Sequence, residues 1–152
     1  MRKTSSLRLG PAERKGSSQL LFDASAIINL ILYRSDIALG CIRDNWILDL
    51  TIYEAGNTIW KTCELQEKIE PEEAADMLDA VLEISRWVRL IPVLDLSLQR
   101  TLEIAISHRT TFYDAAYVSA AKDKKLTLVT DDSFLSRVAE PYVKTTTSKN
   151  VG

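Results

Sequence analysis

Residues 110–135 read TTFYDAAYVSAAKDKKLTLVTDDSFL. Three elements follow one another in this stretch. Thr111 is a good helix N-cap, and the alanine-rich FYDAAYVSAAK behind it is helical. Leu126 to Val129 is a short apolar run with the length of a buried strand. Asp132 is again a capping type and opens a short helix that reaches Ala139. A buried strand set between two helices belongs to a parallel sheet, whose two faces the helices must cover.

The same alternation continues outward. On the N-terminal side, Leu20-Leu21-Phe22 is a buried strand that ends at Asp23, and SAIINLILY from Ser25 is helical. A short helix is expected over 36–43 and a second strand over Trp46 to Leu50. Thr51 then opens a helix with apolar residues at Ile52, Ala55, Ile59 and Cys63, a 3.6-residue stripe. Pro71 starts a helix that runs to about Trp87, since proline suits the first helical turn. Val88 to Val93 is a third strand, weakened at its end by Pro92. Leu96 to Ser107 is helical, and Tyr142 to Thr147 is a fifth, edge strand. The expected fold is α/β: a central parallel sheet of four or five strands with helices on both faces. Right-handed crossovers then bring all strand carboxyl ends to one edge.

Composition agrees with one folded domain. The chain has 152 residues, 46% hydrophobic and 26% charged, enough to bury a core without metal or disulfide staples. No apolar run reaches the ~18 residues of a membrane span. The nearest, Leu20 to Tyr33, is broken by Asp23 and Asn29 and is followed by no small-residue cleavage site, which argues against a secretory signal. One histidine, His108, and two cysteines without a CxxC pair leave little for a zinc site. Isolated thiols suit the reducing cytoplasm. The net charge is −2, but residues 1–18 carry five basic side chains and one acid. They lack hydrophobic periodicity and are expected to form a flexible basic arm, either a passive terminus or a contact for RNA. The body, 19–152, holds 14 basic and 20 acidic side chains and so advertises no basic surface.

The acids carry the chemistry. Asp23 ends the first strand, Glu54 lies in the first turn after Thr51, Asp114 in the first turn after Thr111, and Asp131 and Asp132 follow the fourth strand. In an open α/β sheet, sites form at the carboxyl edge, where Asp23, Glu54 and the Asp131–Asp132 pair fall. Asp114 needs a bent approach to reach them. Singly, each fits a cap: Thr51-x-x-Glu54 reads as a capping box, Thr111-x-x-Asp114 resembles one, Asp132 can cap its helix, and Ser25 the first. Asp23 differs, because a lone charge in LLFDAS is costly to desolvate. Crowded carboxylates repel unless a cation sits among them, and hard divalent cations take oxygen ligands. Together the acids favour a Mg²⁺ or Mn²⁺ site.

LLFDASAIINLIL, LTIYEAGNTIWK and the 110–135 stretch resemble the PIN-domain family, in particular the VapC-type ribonuclease toxins. The shared pattern is a strand ending Asp-x-Ser, a Glu early in the next helix, a Tyr-Asp-Ala helix start and a strand ending Thr-x-Asp. It covers residues 20 to about 146. The resemblance implies a PIN-like three-layer sandwich over 19–152. It also implies a metal-dependent endoribonuclease that hydrolyses RNA phosphodiester bonds with a metal-activated water, leaving a 5′-phosphate and a 3′-hydroxyl. Asp23, Asp114 and Asp132 would hold metal, and Glu54 a second metal or the water. Ser25 and Thr130 would fix carboxylates and waters. Asp131 fills the variable position beside Asp132, so either acid can supply the fourth ligand. The implied partners are RNA, a small antitoxin of a type II toxin–antitoxin pair, and a second copy of the chain, with no membrane.

Weaker expectations concern Lys61 and Arg109 as substrate contacts. Lys61 shares the helix face of Glu54 and Asn57; His108 and Arg109 precede the Thr111 helix. Ala115, Ala116, Ser119 and Ala120 read as close-packed core. Trp46, Trp60 and Trp87 read as core or dimer contacts, and Ile31, Leu32 and Tyr33 as apolar residues free to join a dimer. The alternatives are an RNA-processing PIN nuclease without an antitoxin and a non-catalytic Mg²⁺-binding module such as a receiver domain. Receivers pair two acids after the first strand, whereas Asp23 is followed by Ala24-Ser25.

Overall fold

A computed structural model describes residues 19–152; the arm expected over 1–18 lies outside the described residues. Five strands, β1 (Leu20–Phe22), β2 (Trp46–Leu48), β3 (Arg89–Ile91), β4 (Thr127–Val129) and β5 (Thr145–Thr146), form one parallel sheet in the order β3-β2-β1-β4-β5. Seven helices connect them: α1 (Ala24–Tyr33), α2 (Ser35–Ile42), α3 (Asp49–Trp60), α4 (Pro71–Ser85), α5 (Leu98–His108), α6 (Phe112–Lys124) and α7 (Ser133–Ala139).

Strand alternation sorts the core into two layers. Leu21, Leu48, Ile91 and Leu128 face α5, α6 and α7. Phe22, Ile47 and Val129 face the opposite layer, built on α1 to α4. The expected three-layer sandwich is the observed one. Ala115, Ala116, Ser119 and Ala120 are buried, so the small stripe of α6 is core as expected. Trp60 and Trp87 are exposed, and Trp46 is half-buried.

Of the boundaries that differ from the sequence reading, three strand ends have a clear local reason. The second strand ends at Leu48, not Leu50, because the Thr51 hydroxyl accepts from the Leu48 N–H and starts the helix early. The third strand stops at Ile91: Pro92 has no N–H to continue the ladder, and the Val93 N–H is taken by the Asp49 carboxylate. The fifth strand shrinks to two residues because the N–H groups of Tyr142 and Val143 bond to the Ala139 carbonyl.

α5 and α6 form an antiparallel hairpin. Arg100 near the start of α5 pairs with Asp123 near the end of α6. Arg109 closes the turn in the left-handed region, φ +51°. This hairpin is the bent approach that Asp114 required. It sends the chain past the sheet and back, so that α6 starts at the carboxyl edge before descending to β4.

Candidate active site

Asp23 stands at the end of β1 and is almost fully buried. Its carboxylate accepts from the Ala26 N–H (2.8 Å), which makes Asp23, and not Ser25, the cap of α1. The Ser25 hydroxyl donates to both carboxylate oxygens (2.8 and 3.0 Å), and the Thr130 hydroxyl donates to Oδ2. Burial pushes the carboxyl up from 3.8 to about 6, even though Thr130, Ala26 and Ser25 favour the ionised form. Glu54 adds repulsion.

Glu54 caps nothing. Because α3 begins at Asp49, Thr51 is already inside the helix and Glu54 is freed to face the cleft. Its Oε1 accepts from the Tyr117 hydroxyl at 2.7 Å. That hydroxyl lies 2.9 Å from the Thr51 hydroxyl. Tyr117 has one proton and gives it to Glu54, so Thr51 donates to Tyr117. The result is a relay from the Leu48 N–H through Thr51 and Tyr117 to Glu54. Burial raises the Glu54 carboxyl, the Tyr117 bond lowers it, and Asp114 raises it again. Burial, followed by the Glu54 charge, holds the Tyr117 phenol well above its usual range, so it remains a donor.

Asp114 is half a cap. Its N–H donates to the Thr111 hydroxyl (3.0 Å), but its carboxylate takes the Thr110 hydroxyl (3.0 Å) and does not return to Thr111. The acidic pair after β4 divides its labour. Asp131 has both oxygens engaged, Oδ2 by the Asn29 amide (2.9 Å) and Oδ1 by the Ser148 N–H (3.0 Å). Asp132 caps α7 through Oδ1, accepting from the N–H groups of Phe134 and Leu135 (2.8 and 3.1 Å). Its Oδ2 has no protein partner among the described residues. The Asp132 and Asp131 N–H groups donate to the Thr130 and Ser25 hydroxyls, both at 3.0 Å. Two hydroxyls thus tie this corner to Asp23.

The acids are strung along the edge rather than packed into a cage. Among the described residues no three His, Cys, Asp or Glu side chains stand close enough to hold an ion by themselves. Mutual repulsion nevertheless links Asp23 to Glu54 and Glu54 to Asp114. Mg²⁺ usually takes one or two carboxylates and completes its shell with water and substrate phosphate. An all-oxygen rim with raised carboxyls fits such an ion. Lys61 is exposed where α3 loosens into a π-type turn, about 10 Å along the helix from Glu54. Arg109 is exposed beside His108, whose Nε2 lies 2.9 Å from the Tyr142 hydroxyl.

Tyr117 escaped the sequence reading. The available signal was its position three residues after Asp114, on the same face of α6. A mostly apolar cavity of about 210 Å³ opens beside Phe112, Tyr113 and Ala116 of α6, with Tyr53 of α3 also in its lining.

No protein-family model matches the chain. It is 34% identical to "Exonuclease VapC9" of Pyrobaculum aerophilum over 122 residues, 75% of this chain and 80% of that protein. The chain belongs to the VapC family of PIN-domain proteins. "Ribonuclease VapC3" of the same organism is 29% identical over 109 residues, 68% of this chain and 82% of that VapC. The crystal structure of PAE2754 from P. aerophilum superposes on this VapC chain with a TM-score of 0.69 at 30% identity, covering 84% of this chain and 90% of the other. A toxin-antitoxin complex from Klebsiella pneumoniae shares the fold, with a TM-score of 0.50 at 18% identity over 76% and 88% of the two chains.

Proposed function

We propose that this VapC-family chain is a metal-dependent endoribonuclease and the toxin of a type II toxin–antitoxin pair, working in the cytoplasm. The observation that carries the reading is Asp23. It is a buried carboxylate at a strand end, held by Ser25 and Thr130 and repelled by Glu54. A protein keeps such a costly group where a cation relieves it. Bound Mg²⁺ or Mn²⁺ supplies an activated water at neutral pH and neutralises charge during in-line displacement at phosphorus.

The chain's own residues do the rest. Asp23, Asp114 and the free oxygen of Asp132 offer ligand oxygens. Glu54, aimed by Tyr117, orients the attacking water or holds a second ion. Ser25 and Thr130 lock the Asp23 carboxylate and tie it to the Asp131–Asp132 corner, as outer partners of metal ligands do. Asp131 is a positioning residue, spent on Asn29 and Ser148.

The antitoxin and a homodimer belong to the same reading. α5 presents Leu98, Leu102 and Ile106 at 41, 52 and 69% exposure. Their spacing of four makes one apolar stripe, a better seat for a second copy than the end of α1. Among the described residues no helix is long and apolar enough to cross a membrane.

A second reading, cleavage from an RNA end, draws support from the name of the relative VapC9. Circular and linear forms of one RNA separate the two. With Mn²⁺ the endonuclease linearises the circle and leaves 5′-phosphates; an exonuclease leaves the circle whole. Loss of neither form, or cleavage that survives Asp23→Asn, would overturn the assignment.

A further inference from the structure

The net acidity of residues 19–152 conceals a segregation of charge. Residues 64–83 hold eight acids and one lysine, and α4 within them packs on the α1–α4 side of the sheet. On the other side, Lys122, Lys125 and Lys144 line one groove of about 360 Å³ with Tyr142. All three lysines are exposed. Among the described residues only two ion pairs form, Arg86–Glu83 and Arg100–Asp123. The acid nearest Lys122 and Lys125 in sequence, Asp123, is already paired with Arg100, and among the described residues no carboxylate, Glu140 near Lys144 included, stands at ion-pair distance from the groove lysines. Lys122 also offsets the carboxyl end of the α6 dipole, but that accounts neither for Lys144, which comes from the approach to β5, nor for the groove between them.

The groove lies where α6 ends and β4 and β5 begin, at the amino edge of the sheet, and a run of contacts leads from it back toward the acids. Lys122 lies over the Tyr142 ring, with Nζ 5.2 Å from its centre. The Tyr142 hydroxyl meets His108 at 2.9 Å. Arg109, next in the chain, closes the turn into α6, whose first turn carries Asp114. From Lys122 back to Asp114 is about 12 Å along one helix.

We infer that the Lys122–Lys125–Lys144 groove binds the phosphodiester backbone of single-stranded RNA and leads it past Tyr142, His108 and Arg109 to the acidic edge. This rests on the ribonuclease reading above and adds the path by which substrate arrives. Clustered ammonium groups repel one another as clustered carboxylates do, and a polyanion relieves them. The acidic α4 side turns the same strand away, so the asymmetry gives the RNA one side of the sheet to approach from.

The test is the full chain with Lys122→Gln, Lys125→Asn and Lys144→Gln together. Asparagine is used at 125 because that residue is left-handed, φ +55°. A charge-matched control carries Arg43→Gln, Lys68→Gln and Arg86→Gln. RNA binding is followed by fluorescence anisotropy in EDTA over a salt series, and cleavage with Mn²⁺ on a long RNA and on a dinucleotide. Three lost phosphate contacts should flatten the slope of log affinity against log salt by roughly 2. Affinity at moderate salt should fall on the order of tenfold or more. kcat/KM should fall on the long RNA and stay unchanged on the dinucleotide, and the control should match wild type on both. If wild type cleaves RNA while the groove variant keeps its affinity and slope, the groove is not the RNA path. The same result with lost binding of an acidic protein segment would assign the groove to protein. If wild type cleaves neither substrate, the ribonuclease reading itself fails.

Discussion

The Tyr117 hydroxyl donates to Glu54 Oε1 at 2.7 Å, joining α6 to α3 across 63 residues of sequence. It aims a candidate site carboxylate that caps no helix. Tyr117→Phe removes the donor while keeping the ring. The Thr51 hydroxyl and Glu54 each lose a partner, so stability should drop by about 1–3 kcal/mol. Activity or metal affinity should fall roughly tenfold or more, the usual cost of losing an outer partner of a metal ligand. Thermal melts and an Mn²⁺ titration of cleavage measure both. A variant that melts early but needs no more Mn²⁺ would make Tyr117 a packing residue alone.

Asp23 sets a pH dependence with a definite sign. Its folded value, about 6, lies above the ordinary 3.8 because of burial. The stability it contributes is therefore complete below about pH 4 and is lost as pH rises through about 6. Above that, the ionised buried carboxylate costs up to roughly 3 kcal/mol. Without metal, Asp23→Asn should be the more stable protein near pH 7, and the two should converge near pH 4. Mn²⁺ should raise the melting temperature of wild type near pH 7 and leave the variant unmoved, since it stabilises only a folded state that binds it. A difference between the two that stays flat across this range would contradict the assignment.

The acids after β4 should separate cleanly. Asparagine caps helices as well as aspartate does. Asp132→Asn should then keep near-normal stability and lose most cleavage. Asp131→Ala forfeits the bonds to Asn29 and Ser148, a stability loss of about 1–3 kcal/mol, with the Mn²⁺ response intact. The opposite pattern in paired melts and cleavage assays would make Asp131 the ligand.

A charge on the apolar stripe of α5 should break the proposed homodimer. Leu102→Glu with Ile106→Glu should give a monomer of 17.1 kDa by light scattering, where wild type gives twice that. Leu32→Glu, at the end of α1, should leave the pair intact. Dissociation by Leu32→Glu alone would move the interface to α1.

Local chemistry determined a good deal before any folding. The 3.6-residue stripes, the short apolar runs and the capping residues are read within a few positions, and they place five strands and their helices in order. They also mark Asp23 as anomalous, because a lone charge ending an apolar strand is costly to desolvate. The same local reading misplaced Glu54. Whether Thr51 caps or lies inside its helix depends on where β2 lets go, and the Thr51–Leu48 bond settles that. Only the tertiary structure decided which of Asp131 and Asp132 keeps a free oxygen, since Asn29 and Ser148 arrive from opposite ends of the body. It alone aimed Tyr117 at Glu54 and gathered three lysines into one groove on a chain whose net charge is negative. The physical reason is range. Helix and strand propensities act over one or two turns of chain, whereas the hydrogen bonds and repulsions that define this site join residues brought together only when the sheet closes between its two helical layers.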